Sequence, residues 1–274
     1  MKISRLWLQR YFDQELPSAE ELADALTFHA FEIDSVEDEI LDVKITANRG
    51  HECLCHRGIA KELSAILHVP MKADPLRQEI SLVPKAESVS VHIDDPLCSR
   101  YIAAHIKNVQ VGPSPDWLQK FLESLGQKSI NNVVDATNFV MFDLGQPLHA
   151  FDAGQLVQNE VKLQYSVGVR RASSSEKLLA LDDKEYLLAD SMLVIVDGVS
   201  DKAIGIAGVK GGKPAGISES TRDIIIESAN FDGASVRKTA AALKLRTDAS
   251  SRYEQRISPE LCGYGMRAGV DLIV

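Results

Sequence analysis

Cysteine is scarce: Cys53, Cys55, Cys98 and Cys262 are the only four in 274 residues, too few and too irregularly spaced for a disulfide framework in a chain this long. Positive charge is also short, with 30 Lys and Arg against 39 Asp and Glu and a formal net charge of -9. That balance excludes unaided, nonspecific gripping of a polyanion, which needs clustered cations that release counterions. Long apolar runs are missing, so nothing in the sequence reads as a membrane span. The opening MKISRLWLQRYFDQ has neither a long apolar core nor a small-residue cleavage site and is no secretory signal. No internal repeat or low-complexity tract is present. The expectation is a cytoplasmic protein with no membrane association.

What is there suits a globular chain. Hydrophobic residues make up 45% and charged ones 25%, enough apolar content for one large domain or two. Two is the expectation, with an N-terminal module over 1–72, a linker over 73–87 and a larger domain over 88–274. Ser18 and Glu21 form an S-x-x-E capping box, and Leu22, Ala25, Leu26 and Ala30 follow at helical spacing. FEIDSVE and ILDVKITA alternate as strands do. Ile59, Leu63, Ile66 and Leu67 mark a second helix, halted by Pro70. The module therefore reads helix-strand-strand-helix. MKADPLRQEISLVPKAE is rich in Pro and charge without periodicity, as a linker is.

From Ser88 the pattern turns to short strands: SVSVHI, YIAAHIKNVQV, VKLQYSV, SMLVIV, AIGIAG and DIIIES. Asp182, Asp183 and Lys184 between apolar flanks predict a hairpin over 179–188. Helices are expected over 114–125, with Ser114 as N-cap and Pro115 at the first position, and over 133–142, 235–243 and 258–274. The fold class is α+β. The closing DLIV stops within an apolar helical pattern, which predicts a fragment of a longer protein.

Three stretches mix polar groups into apolar surroundings in the manner of a pocket wall. NNVVDATNFVMFDLGQPLHAFD, 131–152, carries Asp135, Thr137, Asn138, Asp143, Gln146 and His149; AIGIAGVKGG, 203–212, is glycine-rich; IIIESANFDGASVRKTAAALKLRTDASSRYE, 224–254, carries Glu227. Together with ITANRGHECLCHRGIAKELSAIL and TDASSRYE, these motifs run in the order found in one family. Over nearly its whole length the sequence resembles the bacterial-type phenylalanyl-tRNA synthetase beta subunit, in the N-terminal portion that holds the editing domain.

The resemblance implies a subunit that hydrolyses Tyr attached to tRNA-Phe, partnered by an alpha subunit that charges the tRNA with Phe. It implies no cofactor in this chain, with ATP and Mg serving the complete ligase, and contact with the tRNA-Phe acceptor end. His149 and Glu227 are the implied catalytic pair, with Thr137 and Asn138 beside them and Ala207 and Gly208 as a close backbone wall. Glu227 would accept the tyrosine hydroxyl, and amides near Ala207 and Gly208 would face the oxyanion. Arg237, Lys238, Lys244 and Arg246 are local cations for a tRNA end.

Three departures stand out. Family members place an OB-fold module between the first unit's strands, where FEIDSVEDEILDVKITANRG runs straight through. Lys210 stands where an apolar residue is common, and Gln255-Arg256 replaces the usual Arg-Gly.

Other motifs carry less. HECLCH matches no standard zinc spacing and lacks a second ligand cluster. GVKGGKP fails as a phosphate loop because Pro214 follows Lys213. Asp248, Arg252 and Glu254 read as an ion-pair and capping network. Two rival functions are a freestanding deacylase acting in trans and a noncatalytic scaffold for an alpha subunit.

Overall fold

The computed structural model describes residues 1–81 and 87–274, so the expected linker lies partly outside the described residues. In the N-terminal part the elements are β1 (Lys2–Ser4), α1 (Arg5–Leu8), α2 (Ala19–His29), β2 (Ile33–Glu37), β3 (Ile40–Val43), α3 (Gly50–Cys53) and α4 (His56–Leu67). The capping box closes as expected. Ser18 Oγ accepts from the Glu21 amide, and the Glu21 carboxylate accepts from the Ser18 amide at 2.9 Å. Two orphan donors at the start of α2 are thereby satisfied, worth about 1 kcal/mol. Leu22 and Leu26 turn one face of α2 inward and are fully buried, each contributing about 2 kcal/mol. The strands form an antiparallel sheet in the order β1-β3-β2. β2 and β3 are joined through Asp38, which takes a left-handed φ of 51°.

The remaining elements are β4 (Val89–Ile93), β5 (Cys98–Ile106), α5 (Asp116–Ser124), α6 (Asn132–Leu144), β6 (Leu148–Asp152), β7 (Tyr165–Arg171), β8 (Lys177–Leu179), β9 (Glu185–Leu187), β10 (Leu193–Asp197), β11 (Ala203–Ile206), β12 (Lys210–Gly211), β13 (Ile224–Phe231), α7 (Gly233–Ala242), α8 (Asp248–Tyr253) and α9 (Leu261–Ile273). The chain is mixed α+β. One sheet runs β12-β11-β10-β7-β4, with β4 parallel to β7; a second runs β5-β13-β6, antiparallel throughout; β8 and β9 form the expected hairpin.

All eight residues of β13 are buried because both faces of its sheet are covered. Ile225 and Ala229 pack with Val167, Val194 and Ile206 of the five-stranded sheet. On the alternate positions Ile224 and Ile226 pack with Val133 of α6 and Met266 of α9. A strand buried on both sides reads as a near-continuous apolar run, which is what IIIESANF shows, and two of its polar side chains, Ser228 and Asn230, are satisfied on backbone carbonyls. Ser228 donates to the Cys262 carbonyl at 2.9 Å, and Asn230 to the Ile257 carbonyl at 2.8 Å.

Two expectations change. α5 begins at Asp116, its N-cap position falls on Pro115 without a side-chain bond, and Ser114 instead donates to Asp135 at 2.5 Å. The buried Asp135 also accepts from Ser129 and the Ile130 amide, and this demand for donors outweighs a local cap. In TDASSRYE, Thr247 caps α8 with Ser250 closing the box. Arg252 meets Asp248, but Glu254 pairs with Arg246 rather than with either. Arg256, one of the two residues that depart from the resembled pattern, takes a φ of 60°, the left-handed region that glycine enters without strain.

The two parts meet through aromatic packing. Trp7 is fully buried and stacks on His56 at 4.1 Å and on Phe139 at 4.5 Å. Trp7 Nε1 and the Tyr11 hydroxyl both donate to Asp143 Oδ1, at 2.7 and 2.8 Å. His56 spends both ring nitrogens on backbone. Nε2 accepts from the Ser4 amide at 3.1 Å, and Nδ1 lies 2.9 Å from the Phe142 carbonyl, a donor's position. Burial pushes its pKa down to about 3, so the imidazole is neutral and structural.

Candidate active site

β6 and β13 pair antiparallel with Glu227 directly opposite His149. Directly opposed residues project to the same face, so two side chains 78 positions apart in sequence stand together. This face looks toward β11 and β12, and a hollow of about 100 Å³ lies between them, walled by His149, Glu227, Gly208, Lys210, Gly211 and Tyr253 among others.

Glu227 is 7% exposed. Its Oε2 accepts from the Tyr101 hydroxyl at 2.8 Å, while Oε1 makes no hydrogen bond to another described residue. Burial pushes the carboxyl up to about 7, against the opposing pull of the Tyr101 bond; an acid so placed changes charge near neutrality. His149 is half-buried as a residue, yet its Nε2 is buried and finds no partner among the described residues. Burial first, and the Lys210 ammonium second, push its pKa down to about 4. The imidazole is therefore neutral at physiological pH and a weak base. The backbone of Lys210 pairs with Ile206 in the β11–β12 ladder, while its ammonium forms no hydrogen bond or ion pair with another described residue.

Glycines admit this arrangement at two points. A Cβ on Gly211 would lie 2.6 Å from His149 Nε2, so only glycine lets β12 pass over the ring. Gly208 has a φ of 69°, and a Cβ there would meet Val236 at 2.9 Å and Tyr253 at 3.0 Å. Tyr253 in turn anchors the wall by donating to the Ala229 carbonyl at 3.0 Å.

Of the residues singled out in the sequence, His149, Glu227 and Gly208 come together at the hollow. Ala207, Thr137 and Asn138 do not line it. Ala207 is buried in the core and donates its amide to the Leu193 carbonyl at 3.0 Å, which removes it as an oxyanion donor. Thr137 Oγ1 bonds back to the Val134 carbonyl within α6 at 2.7 Å, and Asn138 is half-buried on the same helix. Arg237, Lys238 and Lys244 are exposed, whereas Arg246 is committed to Glu254. Glu227 does not end its strand, as the polar residues after it suggest; β13 continues to Phe231. Tyr101 was not singled out, and nothing local marks it: it lies in an ordinary alternating strand, 126 residues from its acceptor.

A second hollow, of about 400 Å³, lies among Lys2, Gly50, Phe142, Arg246, Arg252 and Gln255, but its charged groups largely neutralise one another through the Arg252–Asp248 and Arg246–Glu254 pairs.

A profile of the B3/4 domain matches residues 97–274. The chain belongs to the B3/4 domain family. The B3/4 region thus contains every residue that walls the smaller hollow. The full sequence is also similar to curated phenylalanine–tRNA ligase beta subunits, as the motifs implied. The protein of that name from Rhodopirellula baltica is 38% identical over 278 residues, covering 100% of this chain and 39% of its own length. That from Syntrophus aciditrophicus is 44% identical over 250 residues, covering 89% and 28%, and that from Clostridium tetani is 39% identical over 240, covering 86% and 29%. The chain spans between 28% and 39% of the length of these three relatives. A crystal structure of an N-terminal fragment of the phenylalanyl-tRNA synthetase beta subunit from Pyrococcus horikoshii is a looser likeness, 16% identical with a TM-score of 0.40, covering 93% of this chain and 73% of that one. Among the described residues no helix is long and apolar enough to cross a membrane.

Proposed function

We propose that this chain is the N-terminal part of a phenylalanine–tRNA ligase beta subunit, and that its B3/4 cavity hydrolyses Tyr from mischarged tRNA-Phe. The observation that carries this reading is the pairing of Glu227 with His149 across β13 and β6, both on one hollow. The division into a module over 1–72 and an editing domain over 88–274 belongs to the same reading. So do a cytoplasmic setting, an alpha subunit as partner, and ATP and Mg as requirements of the whole ligase.

Discrimination follows from Glu227 Oε1. A tyrosyl side chain brings a hydroxyl that donates to this oxygen; a phenylalanyl one leaves a buried carboxylate oxygen unpaired, which costs about 1–3 kcal/mol or more. Sites built around a substrate hydroxyl reject the analogue that lacks it by roughly 10⁴-fold. The editor therefore spares the correct product. Ester hydrolysis needs an oriented water and a donor for the oxyanion. A neutral imidazole with a pKa of about 4 is too weak a base to strip water at pH 7, so His149 orients water or ester through Nε2. The Gly208 amide is the oxyanion donor.

Release of Tyr and of Phe from tRNA-Phe by the wild type, Glu227→Ala and His149→Ala tests the proposal. The wild type is expected to hydrolyse the tyrosyl ester preferentially. Glu227→Ala should lose that preference, and His149→Ala, which removes the orienting group, should lose rate by about 10²-fold. A wild type that releases neither amino acid, even when joined to an alpha subunit, favours a scaffold. Activity that is indifferent to the alpha subunit favours a deacylase acting in trans.

A further inference from the structure

Glu227 recognises a hydroxyl only if its carboxyl group is held in one rotamer with one oxygen turned into the hollow. Among the described residues no hydrogen bond from the cavity side holds it there. Tyr101 does so from behind. Its ring lies in the buried core between the two sheets, on β5, paired with Ala229 and thus two residues along β13 from Glu227 on the same face. It is 9% exposed and does not wall the hollow. Its single O–H is spent on Oε2.

We propose that Tyr101 is a positioning residue for Glu227: its hydroxyl occupies Oε2, fixes the carboxyl plane and reserves Oε1 for a hydroxyl brought by the substrate. Tyr101 is an internal counterpart of the tyrosyl side chain, presenting the same donor to the same carboxyl group from the opposite side. Two phenolic donors on one carboxylate favour its charged form, so binding of the tyrosyl ester is cooperative with ionisation of Glu227. This rests on the function proposed above, and it deepens it by assigning where selectivity is set.

The other titratable groups around Glu227 are His149 from β6, Lys210 from β12, Tyr253 from α8, Cys98 from β5 and Cys262 from α9. His149 is neutral at the pH in question, and burial raises Tyr253 and both thiols so that they stay protonated. Lys210 stands on the β12 side of the hollow, away from the Tyr101 hydroxyl behind Glu227.

Tyr101→Phe removes one oxygen atom and keeps the ring. The carboxyl band of Glu227, followed by infrared spectroscopy against pH and assigned by its loss in Glu227→Gln, gives the ionisation midpoint without any substrate. Tyr101→Phe is expected to raise that midpoint by about one pH unit, the size of effect that one hydrogen bond to a charged group commonly has. In parallel, the acid limb of Tyr-tRNA-Phe hydrolysis should move up by the same amount, with a raised KM. Hydrolysis at pH 9, where Glu227 is ionised in both proteins, should differ less. An unmoved infrared midpoint overturns the role of Tyr101. A moved midpoint in a protein that hydrolyses neither ester upholds the Tyr101–Glu227 coupling and overturns the editing function instead.

Discussion

Glu227 is a carboxyl group kept where it does not want to be charged. Its pKa in the fold, about 7, lies above the ordinary 4.5, so the native state binds its proton more tightly than the unfolded state does. The penalty is absent below pH 4.5, grows as pH rises, and is complete above about 7. It amounts to about 3 kcal/mol at full ionisation. Glu227→Gln should therefore stabilise the protein at pH 8 by about that amount while leaving stability at pH 4.5 nearly unchanged, and urea unfolding at the two pH values checks this. A pH-independent difference would mean that packing, rather than charge, sets the effect. This residue and His149 were singled out through the motifs that carry the family resemblance, not through their local pattern, which marks neither of them. Tyr101 was not, because its role exists only once β5 lies beside β13, and its own strand reads as any alternating strand does. Thr137 and Asn138 lie in the same motif but do not line the hollow, and in α6 Thr137 bonds back to its own helix.

The elements that carry the site differ in how visible they are. β13 announces itself with three isoleucines, and α2 and α4 with their 3.6-residue spacing. β6 is hidden, since LHAFD is five residues long, follows a proline and begins straight after a polar turn, too short a stretch for a period of two to show. Yet β6 is what sets His149 opposite Glu227. β1, at three residues, is hidden for the same reason. The hairpin of β11 and β12 closes the hollow, and Gly211 lets it lie on the imidazole. In Gly211→Ala the new methyl group competes with the ring of His149, so the ring must turn or the two-residue strand must lift. The expectation is a folded protein, since β12 is half-exposed and contributes little core, with Tyr-tRNA-Phe hydrolysis reduced by about 10²-fold or more, as misplacement of a catalytic group by about 1 Å commonly does. Circular dichroism alongside the hydrolysis assay separates this from unfolding. Activity equal to wild type would show that the close approach is incidental.

At the level of the molecule, one carboxylate joins the two parts. Asp143 Oδ1 takes both Trp7 Nε1 and the Tyr11 hydroxyl, and burial pushes its pKa up. Asp143→Ala strands two buried donors, at about 1–3 kcal/mol each. Hydrogen exchange should accelerate over α1, α4 and α6 before it does over β13, because the sheet that holds β13 does not depend on this contact. Uniform acceleration would instead make the chain a single cooperative unit. That the sequence contained an N-terminal helix-and-strand unit and a strand-rich remainder was readable from periodicity. How they dock was not, since docking depends on aromatic and carboxylate partners more than 130 residues apart.

The register between β6 and β13 also bears on how such a protein diversifies. Side chains alternate along a strand, so inserting or deleting one residue between Gly145 and Leu148 would swing His149 to the helix side and bring Leu148 or Ala150 to face Glu227. Lineages can alter this turn by substitution but not by length. Novelty in substrate choice must then enter from the opposite wall, along the hairpin, where Lys210 already marks one departure.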